Sequence, residues 1–315
     1  MQIPVIFFHY GDPLYLKYAL KQARYYNPDA DIYLLGDKEN NKYPFVTHIS
    51  IAAFEPATEQ FRSIYQHRSD NDLNYELICF LRWFYIREFC KANDIDSFIY
   101  LDSDVLCYQN LTELVPLFNN CRIANTCDDT GMPAFTYFRD KGVINDFCDH
   151  LIRYYTDPAA IARLDYLYQP FKDNPQLLGG ISDMALFHLY FKDYPEGAIK
   201  VDLLTDEIAV DSNINCADGY ETENGIKKIY WKNNLPYGKN EASGKLIRFV
   251  TLHYQAHAKD AMRQNYTAEG YQVAKYLEAR DIKGKIKRAK KSIKKYLKGQ
   301  VKIRPLSIFL PWIYL

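Results

Sequence analysis

The stretch FIYLDSDVL, residues 98–106, sets two carboxylates, Asp102 and Asp104, one residue apart at the end of a run of strand-forming side chains. In an extended chain alternate side chains share a face, so the two charges would point the same way and repel unless a cation lay between them. Two readings follow. Short polar residues at a strand end can close an Asx-type turn that satisfies freed backbone groups. Alternatively, hard oxygen ligands hold a divalent cation whose coordination a substrate's phosphates complete.

Other residues have the chemistry to join that site. IRFVTLHYQAHAKDAM, residues 247–262, reads as a strand running out into His253, His257 and Lys259. A histidine after a strand is commonly structural. Beside two carboxylates, however, an imidazole completes a set that accepts Mn²⁺, and the Lys259 ammonium suits phosphate oxygens. Arg82 lies in LNYELICFLRWFYIREFC, residues 73–90, an almost wholly apolar helix preceded by the capping candidates Asp70, Asn71 and Asp72. A guanidinium buried there needs an anion, either a core carboxylate or a substrate's diphosphate and sugar hydroxyls. Gly179-Gly180 precedes Asp183 at the start of another helical segment. Paired glycines let a ligand approach the backbone, while Ser182 or Asp183 could equally serve only as a helix cap.

The elements that must position these residues alternate in type. Residues 3–8 read as a strand, 13–26 as a helix stopped by Asn27-Pro28, and 31–35 as a strand ending at Gly36-Asp37. This β–α–β order predicts an α/β fold with a mixed, mostly parallel sheet flanked by helices, in which ligands sit at the carboxyl ends of the strands. A chain of 315 residues, 48% apolar, is long enough for one large core or a core with a smaller appendage. Its 28 Tyr and 18 Phe fit a thick α/β body with rings to spare for stacking on sugars or bases.

Seven cysteines without a CxxC pair imply a reducing compartment, and MQIPVIFFHYGD lacks the positive flank and apolar length of a signal peptide. A cytoplasmic location is the expectation. The net charge of zero hides an asymmetry: residues 280–304 carry twelve Lys or Arg against Asp281 alone, a segment of +11 on a body of −11. Within it Ile282, Ile286, Ala289, Ile293, Leu297 and Val301 recur at helical spacing, and the chain closes with PLSIFLPWIYL. A basic amphipathic helix followed by Trp312 and Tyr314 reads as a peripheral anchor for the inner, anionic face of a membrane. The eleven closing residues, broken by Pro311, are too short to span a bilayer. A solvated helix and a nucleic-acid arm are the other readings of the tail, but no nucleic-acid motif accompanies it.

Together FIYLDSDVL, the following NLTELVPLF and LHYQAHAK resemble the motifs of GT-A fold nucleotide-sugar glycosyltransferases, most closely glycosyltransferase family eight. The resemblance runs over residues 1–262 in the family's order. It implies a catalytic domain at 1–270, with 271–315 as the tail, and a hexosyltransferase activity. The donor would be a nucleotide-sugar, UDP-linked, and the acceptor a glycan or glycolipid in surface polysaccharide synthesis. Asp102, Asp104 and His253 would bind Mn²⁺ or Mg²⁺. His9, Tyr10, Gly11 and Ser103 would lie along the nucleotide, Gly180 along the donor, and Lys259 on the diphosphate. Arg82 looks like the donor-binding arginine and Asp183 like the residue that orients the sugar, these two being the catalytic pair. His9 stands where the family usually has Asp, Ala256 where its His-x-x-Gly-x-x-Lys signature has glycine, Pro133-Ala134 where it has Asn-Ala, and Ser182 where Gln is common.

Two readings from other classes compete. The string hhhhDxDxVL also fits haloacid-dehalogenase-type phosphatases, with Asp102 as nucleophile, Asp104 as acid/base and Asp183 as a metal acid, although that motif usually opens the first strand. A non-catalytic membrane-bound interaction protein would use only the tail.

Overall fold

The structure, a computed structural model, describes residues 2–126, 132–174, 176–201 and 203–269. Strand β1 (Val5–His9) pairs in parallel with β2 (Ile32–Gly36) and β4 (Phe98–Leu101), and β2 with β3 (Thr47–Ser50). Beyond β4 the sheet turns antiparallel through β7 (Met132–Phe138) and β6 (Ile123–Thr126), then ends on β8 (Ala198–Lys200), parallel to β6. The seven-stranded order is β3-β2-β1-β4-β7-β6-β8, a mostly parallel sheet of the predicted class.

Continuous apolar runs explain why its centre is covered on both faces. In β1 and β4, Ile6, Phe8, Phe98 and Tyr100 belong to one large cluster, while Val5, Phe7, Ile99 and Leu101 point away from it, and all eight are buried. The cluster is supplied by helices α2 (Glu59–Ile64), α3 (Leu73–Ala92), α4 (Lys141–Thr156), α5 (Pro158–Asp173) and α6 (Asp183–Asp193). Helix α1 (Leu14–Tyr26) instead packs on β5 (Val105–Cys107) and on α7 (Met262–Asn265). Of the three capping candidates before α3, Asp72 is the cap: its carboxylate accepts the Asn74 and Tyr75 amides at 2.9 and 3.1 Å.

A second sheet begins where the first stops. Strand β5 pairs antiparallel with β14 (Leu246–His253), which pairs with β13 (Leu235–Lys239) and, in parallel, with β9 (Ile208–Val210). Strand β12 (Ile229–Lys232) completes the edge, and β10 (Thr222–Glu223) and β11 (Ile226–Lys227) form a separate hairpin. Both hairpins close through two residues in the left-handed region, Asn224-Gly225 and Asn233-Asn234, the backbone that tight turns between twisted strands require.

One expectation is corrected here. Strand β4 ends at Leu101, so Asp102 and Asp104 belong to the turn before β5 and not to an extended run; the Val105 amide closes it on the Asp102 carbonyl at 3.1 Å. The alternation argument therefore does not govern the pair. The tail expected at 271–315, with membrane contact through 280–315, lies outside the described residues. Among the described residues no helix is long and apolar enough to cross a membrane, and Cys79, Cys90, Cys107, Cys121 and Cys148 are free thiols.

Candidate active site

A cleft of about 400 Å³ opens at the carboxyl ends of β1 and β4. It brings together His9, Tyr10, Arg82, Asp102, Ser103, Asp104, Asp183, His253 and Lys259, residues spread over 250 positions of sequence. Gly11 and Gly180 are not part of its lining. Gly11 donates its amide to the Asp37 carboxylate at 2.7 Å. Gly180, at φ +148°, lies against the backbone of Arg68 and Ser69, where a Cβ would meet the Arg68 carbonyl oxygen at 2.3 Å. The paired glycines thus admit another stretch of this chain rather than a ligand, and Ser182 makes no side-chain cap of α6.

The two aspartates are neutralised from opposite sides. Tyr100 continues the β4 face toward α3, and Asp102 follows it. Arg82 Nη1 donates to Asp102 Oδ1 at 2.7 Å and the Tyr100 hydroxyl to the same oxygen at 2.5 Å. The rest of the guanidinium grips Asp183: Nη2 and Nε donate to its Oδ2 at 2.5 and 3.1 Å, and the Trp83 indole adds a third donor at 2.9 Å. Burial opposes charge on both partners. For Arg82 the paired carboxylates outweigh it and hold the guanidinium protonated far above its ordinary range, whereas for Asp183 burial prevails over the Arg82 and Trp83 donors and raises the carboxyl.

Asp104 faces the second sheet. Lys259 Nζ lies 3.0 Å from its Oδ2, and His253 Nε2 lies 3.5 Å from Oδ1. Burial would lift the Asp104 carboxyl, but His253 and Lys259 outweigh that and hold it at about 2. Burial likewise disfavours a charged His253, yet Asp104 raises it to about 9. Lys259 comes from a short 3-10 turn, Ala256–Ala261, and its ammonium stands over the Tyr15 ring at 5.2 Å. That turn starts with Ala256 at φ +53°. The backbone therefore takes the left-handed form that glycine favours at the position where the signature expects glycine.

Between the aspartates, Ser103 meets His9 Nδ1 at 2.8 Å through its hydroxyl. Burial pulls His9 down to about 4, so the ring is neutral at pH 7. Asp102, Asp104 and His253 can each turn one ligand atom to a common centre, all within 4.8 Å of one another. Two carboxylate oxygens and an imidazole suit Mn²⁺ or Mg²⁺, so the residues present fit a divalent ion. For the phosphatase reading, Asp102 sits at the end of the fourth strand with Oδ1 already shared by Arg82 and Tyr100, and Asp183 is tied to Arg82.

Sequence reasoning missed several lining residues. Tyr75, Glu76 and Cys79 recur with the expected Arg82 at spacings that put all four on one side of α3, a signal masked by the helix's all-round apolarity. Glu76, 1% exposed, accepts from Ser69 and Asn71 at 3.0 and 2.8 Å. Tyr15 and Tyr100 carried no local signal among 28 tyrosines.

No protein-family model and no curated protein matches the chain. Among solved structures it is similar to the apo form of mouse xyloside xylosyltransferase 1, at 12% identity and TM-score 0.40, covering 64% of this chain and 86% of that one. It is similar also to the apo form of the glycosyltransferase GlyE of Streptococcus pneumoniae TIGR4, at 13% identity and TM-score 0.41, covering 90% of this chain and 64% of that one. A third is a glycosyltransferase involved in glycosylation of the major capsid of PBCV-1, at 10% identity and TM-score 0.42, covering 85% of this chain and all of that one.

Proposed function

We propose that the chain is a metal-dependent GT-A glycosyltransferase that moves a hexosyl group from a nucleotide-sugar, UDP-linked, to a glycan or lipid-linked acceptor of a surface polysaccharide. One observation carries the reading: Asp102, Asp104 and His253 converge within 4.8 Å, in a cleft that Lys259 and the Arg82–Asp183 pair also line. Bound by those three ligands, Mn²⁺ or Mg²⁺ would act as a Lewis acid toward charge developing on the leaving diphosphate.

The chain's own residues supply the rest. Lys259 is a fixed cation for the diphosphate. His9, Tyr10 and Ser103 line the cleft on the nucleotide side, the neutral His9 ring being a hydrogen-bonding group rather than a charge. Arg82 sets Asp183 against Asp102, and Asp183 orients the donor sugar. Three donors hold Asp183 Oδ2 in place, and acceptor attack either keeps the configuration from the leaving-group face or inverts it with Asp183 as base. NMR of the product's anomeric proton distinguishes retention from inversion.

Residues 1–270 form the catalytic domain in this reading, and the basic tail holds it on the cytoplasmic face of an anionic membrane. Removal of 280–315 then abolishes liposome binding and spares donor hydrolysis. The deciding experiment is calorimetric titration of UDP and GDP, with and without Mn²⁺, into wild type and Asp104→Ala. Binding that needs both the ion and Asp104 supports the reading and names the base; metal-independent binding, or none, removes it.

A further inference from the structure

We propose that Lys227, acting through Asp211 and Ser212, is a positioning residue for His253. The inference rests on the reading of Asp102, Asp104 and His253 as metal ligands. It begins with a lysine that has no place in the cleft: Lys227, at the end of β11, is 1% exposed. A buried ammonium persists only where its three protons are satisfied, and here they are. Nζ donates to Asp211 Oδ1 at 2.7 Å, to the Asn213 carbonyl at 2.7 Å and to Asp218 Oδ2 at 2.5 Å.

Two of those acceptors bracket Ser212, so one ammonium grips both sides of a three-residue segment. The residue between them makes the contact that matters. His253 Nδ1 lies 2.5 Å from the Ser212 carbonyl, which can only accept, so Nδ1 carries the proton and Nε2 is left to face Asp104. The other Asp211 oxygen accepts the His253 amide at 3.0 Å. Backbone bonds complete the strip: the Ile214 amide donates to the His253 carbonyl at 2.9 Å and the Lys227 amide to the Ile214 carbonyl at 2.8 Å. The hairpin of β10 and β11 thereby fixes both the main chain and the ring of a ligand that sits at the end of β14.

A buried ion pair that served stability alone would have no need to bracket this carbonyl. If Lys227 positions the ring, loosening it weakens metal uptake in protein that is still folded. The variant Asp211→Asn/Lys227→Met removes both charges together and keeps an acceptor for the His253 amide. Free Mn²⁺ is followed by electron paramagnetic resonance during titration with MnCl₂ alone. The His253 Nδ1 proton is followed by ¹⁵N-edited NMR in metal-free protein.

The expected results are a Kd for Mn²⁺ raised at least tenfold and loss of the slowly exchanging Nδ1 proton. Lys228→Ala, which alters the neighbouring pairs of this half-buried lysine with Glu221 and Glu223, changes neither. A folded double variant with Mn²⁺ affinity within twofold of wild type and the Nδ1 proton intact overturns the proposal. If wild type takes up no Mn²⁺, the metal reading fails on its own, and the Nδ1 proton alone decides whether the clamp exists: its survival in the double variant overturns it. Should the double variant not fold, Asp211→Asn provides the same two readouts with the ammonium retained.

Discussion

Arg82 and Asp183, 101 residues apart in sequence, meet at 2.5 Å, and the same guanidinium reaches Asp102 at 2.7 Å. One side chain therefore joins the middle of α3, the end of β4 and the start of α6. Arg82→Ala strands two carboxylates with little solvent, and the expected loss is roughly 3–5 kcal/mol in urea unfolding. Arg82→Lys keeps a charge but not the fork that serves both partners, so it should remain folded while donor hydrolysis falls at least tenfold. An alanine variant as stable as wild type would show that the guanidinium does not couple these elements.

Gly180 tests whether a paired-glycine loop belongs to ligand or to packing. A methyl group there meets the Arg68 carbonyl oxygen at 2.3 Å and Ser69 Cα at 2.5 Å, with φ at +148°. Gly180→Ala should lower stability by about 1–3 kcal/mol from backbone strain alone. The affinity of the folded fraction for UDP should not change. Lost affinity at an unchanged melting temperature would return Gly180 to the cleft.

Ala256 makes the opposite case. Its φ of +53° costs a residue with a Cβ about 1–2 kcal/mol. Ala256→Gly removes that strain and returns roughly 0.4–1 kcal/mol through the greater freedom of the unfolded chain. A net gain between about zero and about 1.6 kcal/mol is expected, measured as a higher midpoint in thermal unfolding. Ala256→Val, β-branched in the same conformation, should be destabilised, and a glycine variant less stable than wild type would contradict the account.

These positions also show what the sequence made legible. Continuous apolar runs announced β1, β4 and α3, because burial on every side leaves no other use for them. Asp102, Asp104, His253, Arg82 and Lys259 were visible because charged or metal-ligating side chains stand out against such runs. What stayed hidden were partnerships. Nothing local says that Arg82 takes Asp183 as well as Asp102, that Gly180 crosses Ser69, or that Lys227 reaches past its own hairpin to Asp211. Each depends on where a distant segment lands, and only the turn signal Asn224-Gly225 was available to foretell the hairpin that delivers Lys227.

His150 carries the last prediction, a dependence of stability on pH that is separate from the cleft. The ring is 2% exposed, packed among Phe147, Tyr154, Tyr190 and Tyr194 on the inner side of α4. Burial, with Arg153 adding to it, lowers His150 to about 4 from the ordinary 6.5. The native state therefore resists a proton that the unfolded chain takes up readily. Above pH 6.5 neither state binds it and His150 costs nothing; as pH falls from 6.5 to 4 the unfolded state gains, and native stability drops by roughly 3 kcal/mol for a shift of this size. His150→Phe cannot take up the proton. Urea midpoints measured from pH 7.5 to 4.5 should fall more steeply for wild type than for the phenylalanine variant, the gap opening below pH 6.5 and widening toward 4.5. Parallel curves would mean that the ring is protonated within the fold, and that the cluster around it admits a charge.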